Sequence, residues 1–138
     1  MTPLDVLRAY HAAFNDKDWS LMASLTDEGV LHFPNQGTLR KGRAAFEAFL
    51  REAGAAYSEV MSGIVYYTSE TEGRIAAEYV VNGVYLVTQP GLPEANGQKY
   101  VLTGGAFFEV SSGRIRRICT YYNLKDWIDQ IREQTPAP

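Results

Sequence analysis

The order of hydrophobic periods along this chain predicts an α+β domain. Segments with helical spacing occupy the chain up to residue 57, and long segments with two-residue alternation follow. The pair Gly104-Gly105, inside one of the alternating segments, predicts a bulge or strong bend and therefore a curved sheet.

The first helix opens on Thr2 as N-cap, with Pro3 at the first helical position, where its missing N–H costs nothing. Leu4, Leu7, His11 and Phe14 recur at helical spacing, with Val6, Tyr10 and Ala13 beside them. The polar run Asn15-Asp16-Lys17-Asp18 breaks this pattern. Asp18 is positioned to cap a short second helix that buries Trp19, Met22 and Leu25 and stops at Gly29. Val30-Leu31-His32-Phe33 reads as a strand ended by Pro34, and Pro34-Asn35-Gln36-Gly37 as a turn. A third helix carries one apolar stripe through Phe46, Phe49, Leu50, Ala53 and Tyr57.

From Ser58 the period changes. Val60 to Thr68, Arg74 to Val87, Lys99 to Val110 and Arg114 to Tyr122 read as strands joined by turn-rich connections, which implies a mostly antiparallel sheet. Leu124, Trp127, Ile128 and Ile131 predict a short closing helix.

At 138 residues, with 46% hydrophobic and 21% charged residues, the chain suits one hydrophobic core. Residues 1–138 are read as a single domain, its core about 3–132 and 133–138 a frayed tail. A net charge of −3 argues against a nucleic-acid binder. Cys119 is the only cysteine, so an intrachain disulfide is impossible and a reducing, cytoplasmic location is expected. No run approaches the ~20 apolar residues of a membrane span, and no membrane association is expected.

Neither a phosphate-binding glycine loop nor a nucleophile elbow is present. His11 and His32 lack a second ligand at metal-binding spacing, so neither a metal nor a cofactor is expected. The basic clusters Arg40-Lys41-Arg43 and Arg114, Arg116, Arg117 read as solvated faces rather than phosphate clamps.

What remains is a polar set among many aromatic residues: Tyr10, His32, Asn35, Glu78, Tyr79, Tyr85, Thr120, Tyr122 and Asn123. A phenol in an apolar pocket donates a strong hydrogen bond to a developing enolate oxygen, and a nearby His or carboxylate can move the proton. Strand alternation sends His32 and Phe33 to opposite faces, without saying which enters. An ion pair or a contact at a dimer face accounts for Glu78 more simply than catalysis does.

Several blocks together resemble a known superfamily: Tyr10-His11-Ala12-Ala13-Phe14-Asn15-Asp16-Lys17-Asp18-Trp19, His32-Phe33-Pro34-Asn35-Gln36-Gly37 with Gly42, and Gly91-Leu92-Pro93-Glu94-Ala95. Gly105-Ala106-Phe107-Phe108-Glu109-Val110 and Thr120-Tyr121-Tyr122-Asn123-Leu124-Lys125-Asp126-Trp127 complete the set. The chain resembles the superfamily of nuclear transport factor 2, ketosteroid isomerase and the SnoaL-like polyketide cyclases, over about residues 3–132. The resemblance implies a cone, in which a curved, mostly antiparallel sheet wraps around three N-terminal helices. It also implies a pocket open at one end and a homodimer through the outer sheet face.

Ketosteroid isomerase works with an Asp base and an oxyanion hole of a Tyr and a protonated Asp. By this resemblance Tyr10 matches the oxyanion-hole tyrosine. The two acids fall on Phe33 and on Gly105 or Ala106, so neither carboxyl is present. The catalytic candidates are therefore Tyr10 and His32, whose ordinary pKa suits proton transfer near neutrality. The candidate substrate-binding residues are Phe33, Asn35, Phe49, Tyr79, Ala106, Phe108, Ile118, Thr120 and Tyr122. The expected function is cofactor-free isomerisation or cyclisation of a hydrophobic, carbonyl-bearing small molecule resembling a steroid or polyketide. The alternative is a non-catalytic module that binds such a molecule or serves dimerisation.

Overall fold

A computed structural model describes residues 1–135; the end of the expected tail, residues 136–138, lies outside the described residues. Helices α1 (Pro3–Asn15) and α2 (Trp19–Ser24) come first, then strands β1 (Thr26–Phe33) and β2 (Arg40–Lys41), then α3 (Arg43–Ala56). Four long strands follow: β3 (Tyr57–Thr68), β4 (Arg74–Tyr85), β5 (Gln98–Ser111) and β6 (Arg114–Tyr122). Helix α4 (Leu124–Glu133) closes the chain. The strands form one sheet in the order β2-β1-β6-β5-β4-β3, antiparallel throughout except for the β1–β6 pair.

Helix α1 starts as its sequence dictates. The Thr2 side chain accepts from the Asp5 amide, and the Asp5 carboxylate accepts from the Thr2 amide. Such a capping box satisfies two otherwise orphaned donors, each worth roughly 1 kcal/mol.

Three local expectations are corrected. Helix α2 ends at Ser24 rather than Gly29, and β1 begins at Thr26, a buried β-branched residue whose hydroxyl bonds Ala23 O at 2.6 Å. Tyr57 belongs to β3 and not to the third helix: its backbone is extended, with φ −131°. At Gly104-Gly105 the β4–β5 register runs unbroken, so there is no bulge there. Glycine is needed at 104 for space, because a Cβ would stand 2.8 Å from Tyr79 Cε1. The irregularities fall elsewhere, between Thr26 and Leu31, between Ser62 and Val65 and between Glu109 and Val110.

Strand alternation divides the sheet cleanly. Tyr79, Val81, Tyr85, Tyr100, Leu102, Ala106, Phe108 and Ile118 face the helices and are buried, while Val101, Phe107 and Tyr121 stand exposed on the outer face. Val6, Leu7, Tyr10 and Ala13 of α1, with Phe46 and Leu50 of α3, complete this core.

Helix α4 also repairs an incomplete edge. β6 pairs with β5 only from Gly104 onward, which leaves Lys99 and Val101, paired with β4 on one side, without a strand partner on the other. Gln130 accepts from Val101 N at 3.0 Å and donates to Val101 O at 2.9 Å; Gln134 does the same at Lys99, at 3.0 and 2.6 Å. Two glutamines one helical turn apart thus replace a strand, and Gln134, expected to fray, is held. Among the described residues no helix is long and apolar enough to cross a membrane.

Candidate functional site

Pairing register arranges the inner face of the sheet in rows. Tyr57 stands opposite Tyr85, Glu59 opposite Gly83, and Gly83 in turn opposite Tyr100. Because Gly83 has no side chain, the Tyr100 ring lies across it, and the Tyr100 hydroxyl donates to Glu59 Oε2 at 2.5 Å. Tyr57 stacks on Tyr85 with centroids 5.5 Å apart, and Trp127 of α4 meets Tyr57, Tyr85 and Tyr100 edge-on.

Glu59 is the electrostatic hub of this region. Its charge helps to raise the phenol pKa values of Tyr57, Tyr79, Tyr100 and Tyr122, in each case together with burial, the larger cause. Tyr79 is pushed up to about 12. Glu59 itself is pushed above the ordinary carboxyl range by desolvation, against the Tyr100 hydrogen bond and the nearby Lys17 charge, which both lower it. Yet the residue is only half-buried.

The end of α1 is fastened next to this carboxyl. Asn15 donates to Met61 O at 2.9 Å and accepts from Met61 N at 2.8 Å, which fills the free edge of β3. Lys17, in the left-handed region at φ 58°, reaches Glu59 O at 3.5 Å.

Tyr10 is 6% exposed and packs edge-on against His11 and Phe108, so its phenol lies within the core. Burial, and then Tyr79, raises its pKa, which keeps it a neutral donor. The His11 Nδ1 lies 2.7 Å from the Tyr66 hydroxyl, and desolvation lowers its pKa to about 4.

The face of β1 is decided by its partner β6. His32 pairs with Ile118 and faces the helices; Phe33 pairs with Cys119 and lies on the outer face, under the Arg117 guanidinium at 4.9 Å. His32 packs against Phe46 and Phe49 at 5.1 and 4.8 Å between centroids, and desolvation, then Arg40, lowers its pKa to about 4. Arg40 and Arg43, expected on a solvated face, are instead drawn inward. The Arg40 guanidinium lies 4.2 Å over the Phe49 ring, and Arg43 bonds Thr26 O. Glu78 is exposed on the outer face, where its carboxylate accepts from Tyr67 at 3.4 Å.

Among the sequence-predicted lining residues, Tyr79, Ala106, Phe108, Ile118, Thr120 and Tyr122 share the inner face, whereas Phe33 does not. Phe49 contacts His32 from α3, and Asn35 Oδ1 accepts from Tyr122 N at 3.1 Å. Asn35, Tyr122 and Asn123 rim an open depression over Gly104 and Gly105; a second depression lies between the start of α1 and the β3–β4 turn. Neither depression is lined by Tyr10 or Glu59. No cluster of three or more His, Cys, Asp or Glu among the described residues is arranged to hold a metal.

Neither Glu59 nor Tyr100 was singled out from the sequence, and Tyr57 was read only as part of a helical stripe. A signal existed in the alternation Tyr57, Glu59, Met61, which sets one carboxyl between apolar neighbours on one face. Its meaning depended on knowing that Gly83 and Tyr100 stand in the same row.

Residues 7–118 match the SnoaL-like domain family. Among solved structures, the chain is similar to a candidate polyketide cyclase of Xanthomonas campestris, at 47% identity and TM-score 0.88, covering 94% of this chain and 96% of that one. Another candidate polyketide cyclase, from Pseudomonas putida, is 44% identical with TM-score 0.91, covering 95% and 98%. A third, from a Silicibacter species, is 42% identical with TM-score 0.91, covering 94% and 95%. A search of curated protein sequences found no match. With a matched domain spanning most of its length and near-complete structural overlap, the chain belongs to the SnoaL-like family and has the nuclear transport factor 2-like fold.

Proposed function

We propose that this chain is a cofactor-free proton-transfer catalyst of the isomerase or cyclase type, acting on an apolar, carbonyl-bearing small molecule. One observation carries this reading: a single half-buried carboxyl, its pKa raised by desolvation, accepts a hydrogen bond from Tyr100 and lies near enough to Tyr57, Tyr79 and Tyr122 for its charge to raise their phenol pKa values. Glu59 on β3 thus supplies a carboxyl that positions 33, 105 and 106 lack.

In this scheme Glu59 removes a proton from the carbon beside the carbonyl; the C–H electron pair becomes the C=C bond of the enolate, and the carbonyl π pair moves onto the oxygen. Tyr79 and Tyr10 donate hydrogen bonds to that developing oxyanion in a low-dielectric surrounding. An isomerase returns the proton from Glu59 to a different carbon. In a cyclase the enolate carbon attacks a second carbonyl, and the proton passes to the new alkoxide. Tyr100 is a positioning residue that orients Glu59. Asn35, Tyr122, Thr120, Ala106, Phe108 and Ile118 are assigned to holding the substrate. We assign the proton acceptor to Glu59 rather than His32, whose ring is pressed against Phe46 and Phe49 and is neutral at pH 7.

Similarity to three candidate polyketide cyclases supports the reaction class. The test is solvent deuterium exchange α to the carbonyl of 2-tetralone, followed by NMR from pH 5 to 9. Wild type is expected to exchange, and Glu59→Gln to lose roughly 10²–10⁴-fold of the rate. Ketone binding with no exchange in wild type would overturn catalysis.

That outcome would favour a second reading, a non-catalytic binder of the same ligand class. The core position of Tyr10, away from both open depressions, is the observation on its side. In either case we assign a homodimer to the outer sheet face, where the exposed Val101, Phe107 and Tyr121 support it.

A further inference from the structure

Among the described residues, two buried side-chain nitrogens have no hydrogen-bond partner: His32 Nδ1 and Arg40 Nη1. They are not scattered. His32 and Arg40 are directly opposed across the β1–β2 pair, so their side chains leave the same face of the sheet. Both rest on the ring of Phe49, His32 at 4.8 Å between centroids and the Arg40 guanidinium at 4.2 Å. His32 is 3% exposed, and among the described residues Arg40 has no carboxylate within ion-pair distance.

A guanidinium stays charged at every pH a folded protein meets, and buried polar groups without partners are rare because each forfeits its hydration. A lone cation beside an unpaired imidazole nitrogen lacks an acceptor with two oxygens. A carboxylate has that shape: one oxygen accepts from Arg40 Nη1–H, the other from His32 Nδ1–H. The surroundings add a second requirement. Phe46 and Phe49 pack on His32, so a flat ring attached to the carboxylate finds aromatic faces to lie against. Phe49, only half-buried, is the side chain that must turn aside to admit it.

We propose that His32 and Arg40, opposed across β1 and β2 with unpaired nitrogens under Phe49, form a subsite for the carboxylate of a ring-bearing acid. The subsite is separate from the Glu59 chemistry. Proton transfer is read by isotope exchange and this subsite by histidine resonances, so either can fail alone.

The experiment uses full-length protein with ¹³C-labelled histidine, titrated separately with benzoate, acetate and the neutral isostere benzamide. Benzoate is expected to shift the His32 ring resonances saturably while the His11 signals stay in place. Acetate should need at least tenfold higher concentration, and benzamide should give no saturable shift. Arg40→Gln should weaken benzoate at least tenfold, with Arg40→Lys intermediate. If Arg40→Gln does not fold, the wild-type contrast between benzoate and benzamide decides. The proposal is overturned if benzoate gives no saturable shift at His32, if benzamide matches benzoate, or if acetate matches benzoate.

Discussion

Tyr100 crosses from β5 over Gly83 of β4 to reach Glu59 on β3, its hydroxyl donating to the carboxylate at 2.5 Å. The contact spans the width of three strands and exists because the middle one carries no side chain. A Cβ at position 83 would lie 2.2 Å from Tyr100 Cζ, a clash that no small adjustment relieves.

Gly83→Ala should therefore displace the Tyr100 ring and destabilise the fold by about 1–3 kcal/mol, the usual range for overpacking. Urea unfolding measures this, and an unchanged midpoint would show that the ring has another resting place.

Glu59 gives stability an unusual pH dependence. Its folded pKa is raised above the unfolded value, so its contribution is fully present below the unfolded pKa and is lost as pH rises through the folded one. Glu59→Gln removes this titration and keeps an acceptor for Tyr100. The melting-temperature difference, variant minus wild type, should grow from pH 4 to pH 8. A difference that stays flat or shrinks would refute the raised pKa.

The two histidines act in the opposite direction. Both folded pKa values are lowered to about 4 by burial, below the ordinary 6.5, so the unfolded chain binds more protons between these values. Stability from His11 and His32 is present above pH 6.5 and is lost as pH falls towards 4. In an NMR titration neither ring should protonate above about pH 5; a midpoint near 6.5 for either would contradict its burial.

Gln130→Ala should lose the paired bonds to Val101, at about 1–2 kcal/mol in stability. Hydrogen exchange at Val101 should accelerate, while amides in the β4–β5 pairing stay protected. Equal acceleration throughout β5 would mean that the glutamine only supports global stability.

The outer face offers a separate test. Phe107 and Tyr121 meet edge-on there at 5.8 Å, with Phe107 54% exposed. Wild type should scatter light as a dimer, and Phe107→Arg should shift it to monomer by placing a charge amid the apolar patch. A monomeric wild type at micromolar concentration would sink the dimer.

The α+β class was legible because its signals are local. Thr2-Pro3 and Asp18 mark helix starts through capping chemistry confined to three or four residues. The change of period near residue 57 marks the passage from helices to strands. Element ends were less legible. Tyr57 fits a helical stripe by spacing, yet it is drawn into β3 by its pairing and stacking with Tyr85, 28 positions later.

The site followed the same division. Tyr10 and Tyr79 stood out as phenols on apolar faces, and they do face the core. Alternation alone proved that His32 and Phe33 part company, but only pairing with Ile118 and Cys119 showed which one turns inward. Glu59 became visible last. Its environment is built from Gly83 and Tyr100, more than twenty positions away, and from Trp127 beyond them. A residue's hydrophobic period is written in its neighbours along the chain. The burial and partner that set a carboxyl's pKa come from strands that meet only when register is chosen.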